Sequence, residues 1–341
     1  MSYRTVIAAD IAKTNFQCIQ FRNHQPVSKS KNYKRAAFEK LITADKPMTL
    51  VMESCSGAHH WARLAEEHGH EAVLIPPKTV TGFRQGHKTD TNDAYAIYDA
   101  SCSVNLKLSI RKSLDTQALQ VLGSVRDGYQ NRKKQLSNAL RGHLAEFGIV
   151  MPVGYATLKR QIPELLEDPD NGLPGSVRFA LNEYWLDWQK ASAQEVKVAE
   201  RIKAELKEIR AAKELMKLEG IGPVNAVGLL CALGDGRGFN KAKEAAAYIG
   251  LTPKQHSTGG KEVIIGIGKK CGHKKLRSSL IQGARAMIIA VKTRGAVSET
   301  DHWLLALVER CGENRAAVAL ANKNVRRAWA LIAHQRSCVI G

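Results

Sequence analysis

The sequence of 341 residues predicts an α/β region at the N-terminus followed by a mainly α-helical remainder. Three observations predict this class. Short apolar runs with β character alternate with a helical pattern over the first 75 residues. Two much longer helical patterns cover about residues 114–147 and 182–217, and shorter helices and a basic stretch follow them. The predicted domains are residues 1–108, 109–212 and 213–341.

The first predicted strands end in carboxylates. Residues 4–10 form an apolar run that closes on Asp10, and the alternating run Phe16–Phe21 pairs with it as a hairpin. Another apolar run, Met48–Met52, is followed directly by Glu53. Because open α/β sheets place their chemistry at the carboxyl ends of strands, we expect Asp10 and Glu53 to lie at the functional edge.

A helical pattern, His59–Glu67, and a third apolar run, Glu71–Ile75, come next and end at Pro76 and Pro77. A strand, a helix and a strand in this order predict parallel pairing, because a parallel connection needs a crossover. The N-terminal sheet is therefore expected to be partly parallel.

Two further carboxylates, Asp90 and Asp93, lie three residues apart in the run K-T-D-T-N-D-A. At the start of a helix, such a pair shares one face. Magnesium prefers hard oxygen ligands that converge from several elements, so the pair could join Asp10 and Glu53 in one metal site. A single acid of this kind is more often a solvated surface group or a helix cap than a metal ligand. The metal-site hypothesis therefore depends on the combination of all four acids.

The two long helical patterns flank a proline- and glycine-containing stretch, residues 151–175, and predict an antiparallel coiled-coil arm. A plain helical spacer, a dimerisation element and a nucleic-acid grip are all compatible with it. The basic residues that favour a nucleic-acid grip are Arg126, Arg132, Lys133, Lys134 and Arg141.

The charge balance favours a polyanionic partner. The chain has 51 Lys and Arg against 32 Asp and Glu, a net charge of +19, and from Gly250 onward it has 16 basic and five acidic residues. A basic, solvated surface without a partner is the alternative. Seven scattered cysteines without a C-x-x-C pair argue against disulfides and zinc, and the absence of a leader or a spanning apolar run predicts a cytoplasmic protein without membrane contact.

The segment Leu218–Ala226 contains a G-I-G turn between two helical patterns and predicts a helix-hairpin-helix element. The backbone amides of Gly220 and Gly222 and the following helix N-terminus could bind a phosphate without contacting bases. A tight turn with no ligand is the alternative.

Several motifs together resemble the insertion-sequence-110 family of transposases, in its insertion-sequence-1111 group. They are A-A-D-I-A-K at Asp10, V-M-E-S-C-S-G at Glu53, the K-T-D-T-N-D-A run, G-I-G-P, and G-L-T-P-K-Q-H-S-T-G-G-K in the C-terminal region. They follow the family's order over nearly the whole chain. One departure is Ala9, which stands where a glycine usually precedes the aspartate.

The resemblance implies an RNase H-like, RuvC-type N-terminal domain whose four carboxylates bind Mg²⁺. On this sequence the set falls on Asp10, Glu53, Asp90 and Asp93. It also implies a C-terminal transposase domain with a nucleophilic serine, and an element-encoded guide RNA that chooses the DNA sites.

The nucleophile is predicted to be Ser257, in a glycine-containing loop. Thr258 is the alternative, because alignment through the G-G-K segment places the nucleophile there in the register of some relatives. A primary hydroxyl is less hindered than the β-branched hydroxyl of threonine, which favours Ser257.

We therefore expect a DNA recombinase that uses Mg²⁺-assisted transesterification. The alternatives are a RuvC-like nuclease or junction resolvase that uses a metal-bound water, and a non-catalytic nucleic-acid-binding protein. The expected partners are donor and target DNA, by resemblance a guide RNA, and further copies of the chain in a dimer or tetramer, because recombination joins two duplexes. The residues predicted to contact nucleic acid are Gly220, Gly222, Lys254, His256, Lys261, Lys269, Lys270, Lys274, Lys275, Arg277, Lys323, Arg326 and Arg327.

Overall fold

A computed structural model describes residues 5–104, 106, 108–267 and 273–334. The chain forms two compact units. One comprises Met1–Ser113 with Ala232–Lys241, and the other comprises Leu114–Cys231 with Ala242–Gly341. None of the helices in the described ranges combines the length and the apolar composition that a bilayer span requires.

Eight strands form a six-stranded sheet in the first unit and a two-stranded ladder in the second, within the described residues. The strands are β1 (Thr5–Ile11), β2 (Asn15–Arg22), β3 (Gln25–Pro26), β4 (Lys31–Lys34), β5 (Met48–Glu53), β6 (Glu71–Ile75), β7 (Pro253–Thr258) and β8 (Lys261–Ile267). In the large sheet, β1 pairs antiparallel with β2 and parallel with β5, and β6 pairs parallel with β5. β3 and β4 both pair antiparallel with β2. The predicted hairpin and the predicted parallel pairing are confirmed.

The helices of the first unit cover both faces of the large sheet. They are α1 (Arg35–Ile42), α2 (Ala58–Glu67), α3 (Pro77–Phe83) and α4 (Asp90–Ser101). Ile7 packs in a buried cluster with Phe38 of α1, whereas its neighbour Ala8 packs in a second cluster with Ile97 of α4. Successive strand residues therefore face opposite helical layers, as the two-residue period of a strand requires.

The second unit is mainly helical. Its helices are α5 (Leu114–Glu146), α6 (Tyr155–Glu167), α7 (Gly175–Glu208), α8 (Arg210–Leu215), α9 (Pro223–Leu233, which crosses into the first unit), α10 (Ala242–Ile249), α11 (Lys274–Arg294), α12 (Glu299–Cys311) and α13 (Glu313–Ala333). The first long predicted helix corresponds to α5, and the second corresponds to α7 together with α8. Ile209, in an extended conformation, separates α7 from α8.

Two segments differ from the sequence prediction. Residues 151–175 contain α6, which tolerates Pro163 in its interior and buries Leu158 and Ile162 in a core shared with α5 and α7. Burial of this apolar stripe outweighs the hydrogen bond that the proline removes. The segment expected to be a loop around Ser257 is instead the β7–β8 hairpin.

The turn at Gly220 approaches α11 very closely. Gly220 has a φ of +77°, and a Cβ built on it would meet the Gly283 carbonyl oxygen at 2.6 Å. A Cβ on Gly283 would collide with the Gly220 carbonyl oxygen, and it would lie 2.9 Å from Asn225 Nδ2. That amide donates a hydrogen bond to the Gly220 carbonyl. The two glycines therefore permit backbone contact between the turn and the helix.

We expect Gly283→Ala to lower the free energy of unfolding by about 2 kcal/mol, because the methyl group must push the turn away from α11. Gly142→Ala is the matched control, since it is also inside a helix and a Cβ there meets nothing within 4 Å. The control should raise stability by about 0.5–1 kcal/mol. Urea unfolding of both variants measures the difference, and equal effects would contradict the close-approach argument.

Candidate functional site

Asp10 and Glu53 lie side by side at the carboxyl ends of β1 and β5. The parallel register pairs Ala9 with Met52, so the two acids are the next pair along, on strands about 4.8 Å apart. Asp10 shares the strand face of Ala8, and Glu53 shares that of Val51. Because successive residues of a strand face opposite sides of the sheet, both half-buried carboxylates point toward the side that α4 covers.

Asp90 and Asp93 lie in the first turn of α4, which confirms that this pair stands at a helix start. The Thr89 side-chain hydroxyl caps the helix by accepting a hydrogen bond from the backbone amide of Asn92 at 3.2 Å. The Thr91 hydroxyl donates to Ser30 Oγ at 3.3 Å, and Gln17 Nε2 donates to the same oxygen at 2.5 Å. This chain of contacts ties the first turn of α4 to β2.

The four carboxylates share one electrostatic environment. Burial, followed by the charges of Asp93, Asp90 and Glu53, raises the pKa of Asp10 to about 6, and Lys88 opposes the shift. Burial and the Asp93 charge also raise the pKa of Glu53, against Arg84 and Lys88. Each shift is the expected effect of desolvation and like charge on a carboxyl group.

Two cations and a thiol that the sequence analysis did not single out belong to this site. The Arg84 Nη1 atom lies 2.9 Å from Asp93 Oδ1, and both side chains are largely shielded from solvent. Cys55 Sγ donates to the Ile11 carbonyl, and burial with the charges of Glu53 and Asp10 raises its pKa to about 11. Basic residues just before the aspartate pair, in F-R-Q-G-H-K-T-D, were the available signal for the cations.

The donor chemistry of the site fits Mg²⁺, because four carboxylates repel one another and offer hard oxygen ligands. The side chains do not converge on one point. Among the described residues, no three side chains of His, Cys, Asp or Glu are placed to hold an ion together. Binding would therefore require the side chains to close in.

Ser257 lies near the tip of the β7–β8 hairpin and is exposed. It pairs with Glu262, and the turn beyond it consists of Gly259 and Gly260, with φ of +56° and +79°. Positive φ at both central residues is the requirement of a tight two-residue hairpin turn. Successive strand positions belong to opposite faces, so positions 257 and 258 do not share a face of the ladder.

The residues predicted to contact nucleic acid are placed in several different ways. Gly222, Lys254, Lys274, Lys275 and Arg326 are exposed. Lys269 and Lys270 lie outside the described residues, and the side chains of His256 and Lys261 are also outside them. These positions remain predictions.

Other predicted contacts have partners within the fold. Lys323 Nζ lies 4.3 Å from the centre of the Trp303 ring, and Arg327 pairs with Glu219 at 2.8 Å. The prediction for Arg277 is wrong, because its side chain is buried and donates to the Gly250 carbonyl at 3.4 Å. Helical periodicity places Arg277, with its buried neighbour Leu276, on the inward face of α11.

The basic residues of α5 contact acids of α7. Arg132 Nη2 lies 2.8 Å from Asp187, and Lys133 Nζ lies 2.7 Å from Glu195. Arg126 also approaches Glu195, at 3.6 Å. Of Arg126 and Arg132, the later residue on α5 contacts the earlier residue on α7, so the two helices run antiparallel. The ion pairs weaken the argument that these cations grip nucleic acid.

Comparison with known proteins adds an independent line of evidence. A family model described as "Transposase IS116/IS110/IS902 family" matches residues 212–297, and a DEDD transposase model matches residues 7–149. The chain is 33% identical to the "Transposase for insertion sequence element IS1111A" of Coxiella burnetii, over 97% of this chain and 90% of that protein.

Two further relatives extend the comparison. The chain is 33% identical to the "Transposase for insertion sequence element IS1328" of Yersinia enterocolitica, over 95% of this chain and 96% of that protein. It is also 41% identical to the "Pilin gene-inverting protein" of Moraxella bovis, over 21% of this chain and 23% of that protein.

We expect Asp10→Asn to stabilise the metal-free protein at pH 7. The pKa of Asp10 rises from 3.8 to about 6 on folding, so ionisation of this carboxyl costs stability as pH rises from about 4 to 6. The asparagine lacks that charge and should gain about 1 kcal/mol at pH 7, after discounting for solvent screening at this half-buried site.

Urea unfolding in chelator at pH 3.5, 5 and 7 measures the effect. Most of the gain should disappear at pH 3.5, where the wild-type carboxyl is mostly protonated in both states. Asp45→Asn, at an exposed position of the same unit, is the control and should change little at any pH. A pH-independent gain at Asp10 would contradict the repulsion argument.

Proposed function

The chain belongs to the IS116/IS110/IS902 family of transposases, and on that premise we propose that it recombines DNA by Mg²⁺-assisted transesterification through the Ser257 hydroxyl. The observation that carries this proposal is the set of four acids on β1, β5 and α4, in which the charges of the other three raise the pKa of Asp10.

We further propose a domain organisation. The first unit is an RNase H-like, RuvC-type domain, α5 and α7 form an antiparallel coiled-coil arm, and the remainder is a transposase domain with a helix-hairpin-helix element. The mixed sheet supports this organisation, as does the reversed order in which Arg126 and Arg132 of α5 contact acids of α7.

Asp10, Glu53, Asp90 and Asp93 would hold the ion. When bound, Mg²⁺ would polarise the scissile phosphate and neutralise charge that develops on its oxygens. Arg84 holds Asp93 through Oδ1, and as a cation beside the site it would also attract a phosphate oxygen. Lys88 remains a nearby positive charge for the DNA strand.

In the proposed cleavage, Ser257 Oγ forms a bond to phosphorus as the bond from phosphorus to one deoxyribose oxygen breaks. The hydroxyl proton passes to a base, and the departing oxygen takes up a proton. The product is a phosphodiester between Ser257 and the DNA, so no phosphate ester bond is lost. Attack by a DNA hydroxyl then reverses the step on a new strand and releases the serine.

The partners proposed are donor and target DNA, a guide RNA and other copies of the chain. The basic excess of the C-terminal region supports binding of a phosphate backbone. A relative whose name describes gene inversion supports cutting followed by rejoining, because inversion requires both. Choice of sites by an element-encoded guide RNA rests on the family resemblance, and a dimer or tetramer follows from the need to join two duplexes.

We expect alanine at Asp10, Glu53, Asp90 or Asp93 to abolish strand cleavage and to remove the rise in melting temperature that Mg²⁺ causes. DNA binding should persist, because these changes leave the basic surface intact. Asp99→Ala, also on α4, is the matched control and should keep both properties. Differential scanning fluorimetry with added Mg²⁺ and cleavage of a plasmid carrying the element measure the two effects. If any of the four variants cleaves DNA near the wild-type rate, the substituted acid does not belong to the metal site.

The nucleophile is tested by the covalent adduct. Ser257→Ala should lose both cleavage and a denaturant-stable adduct with DNA, whereas Thr258→Ala should keep both at about wild-type levels. Peptide mass mapping of the wild-type adduct identifies the modified residue directly. Cleavage without any adduct in the wild-type protein would favour the nuclease that uses a metal-bound water.

A further inference from the structure

A large groove lies between the β7–β8 hairpin and α13, within the second unit. Its volume is about 1180 Å³, above the usual range for a small-molecule pocket. Leu251, Ile264, Ile267 and Val318 provide much of its apolar lining, and Trp303 stands at its side. Ile264 is 69% exposed, so a large apolar side chain of the hairpin is open to solvent in this groove.

The hairpin register places Ser257 on the groove side. Ile264 pairs with Gln255, and directly opposite residues of an antiparallel ladder share a face. Ser257 is two residues beyond Gln255 and therefore lies on the same face, about 7 Å further along the strand. A register shift between Pro253 and Lys254 brings Ile267 into the groove as well. Val263 is on the opposite face and does not line the groove.

The charge of the groove is complementary to a nucleic-acid strand. Its described lining includes Arg315, Lys323, Arg326 and Arg327 and no acidic residue. Arg315 and Arg326 are both exposed, and they are eleven residues apart on α13. Eleven residues make about three turns, so the two guanidinium groups flank one helix face about 16 Å in length.

We propose that this groove binds unpaired nucleotides next to the scissile phosphate, with their bases against the apolar floor and their phosphates at Arg315 and Arg326. Apolar and aromatic contact with bases, combined with cations along a groove, is the general way in which proteins bind single strands. The inference rests on the proposed function and extends it. A strand held in the groove lies along the hairpin face that carries Ser257.

The test uses Ile264→Asp and Val263→Asp as a matched pair. The two residues are neighbours on β8, 69% and 55% exposed, and each variant adds one negative charge to the same strand. Only Ile264 lines the groove. We expect Ile264→Asp to weaken binding of a fluorescein-labelled ten-residue oligo-dT at least tenfold, and Val263→Asp to weaken it less than threefold. Fluorescence anisotropy measures both affinities, and circular dichroism checks that both variants are folded.

The outcomes separate this inference from the proposed function. Equal weakening by both variants, or no weakening by either, overturns the groove site even if the wild-type protein forms its Ser257 adduct. Selective weakening by Ile264→Asp supports the groove site even if the adduct maps elsewhere. If Ile264→Asp instead changes the molar mass measured by light scattering and leaves oligo-dT binding intact, the groove holds a second copy of the chain and the proposal fails.

Discussion

Four carboxylates repel one another at one edge of the N-terminal sheet, and partial burial strengthens that repulsion by removing water. The fold holds them there because Asp10 and Glu53 lie at the ends of two paired and largely buried strands. Asp90 and Asp93 lie at the start of a capped helix. Arg84 and Lys88 offset part of the cost. The repulsion lowers the stability of this unit, and a cation that bound at the site would restore it.

Much of this unit could be predicted from local sequence alone. The apolar runs identify β1, β2, β5 and β6, whereas the orientation of Asp10 and Glu53 toward α4 is known only from the packing of the helix. Arg84 and Cys55 could not be found in this way, because their proximity to Asp93 and Ile11 depends on the path of a loop and on packing between elements. Sequence spacing predicts which residues share an element and says little about contacts made between elements.

The second unit shows the same limit more strongly. Its long helices follow from periodicity, yet the inward orientation of Arg277 and the ion pairs of α5 with α7 depend on which helix faces which. The sequence predicted a glycine-containing loop around Ser257, and it did not predict the pairing of the flanking residues into a hairpin. Gly220 could be explained as a phosphate site from sequence, whereas its contact with Gly283, 63 positions away, gives it a packing role.

The register shift between Pro253 and Lys254 affects how relatives of this chain should be compared. One unmatched residue reverses the phase of a strand, so side chains before and after it keep different relations to the same face. The unmatched residue is Gly266 of β8, so a relative with one residue more or fewer at this point would change which residues beyond it share the face of Ile264. Homologous positions of β8 should accordingly be matched by counting from the glycine turn, where the pairing is regular.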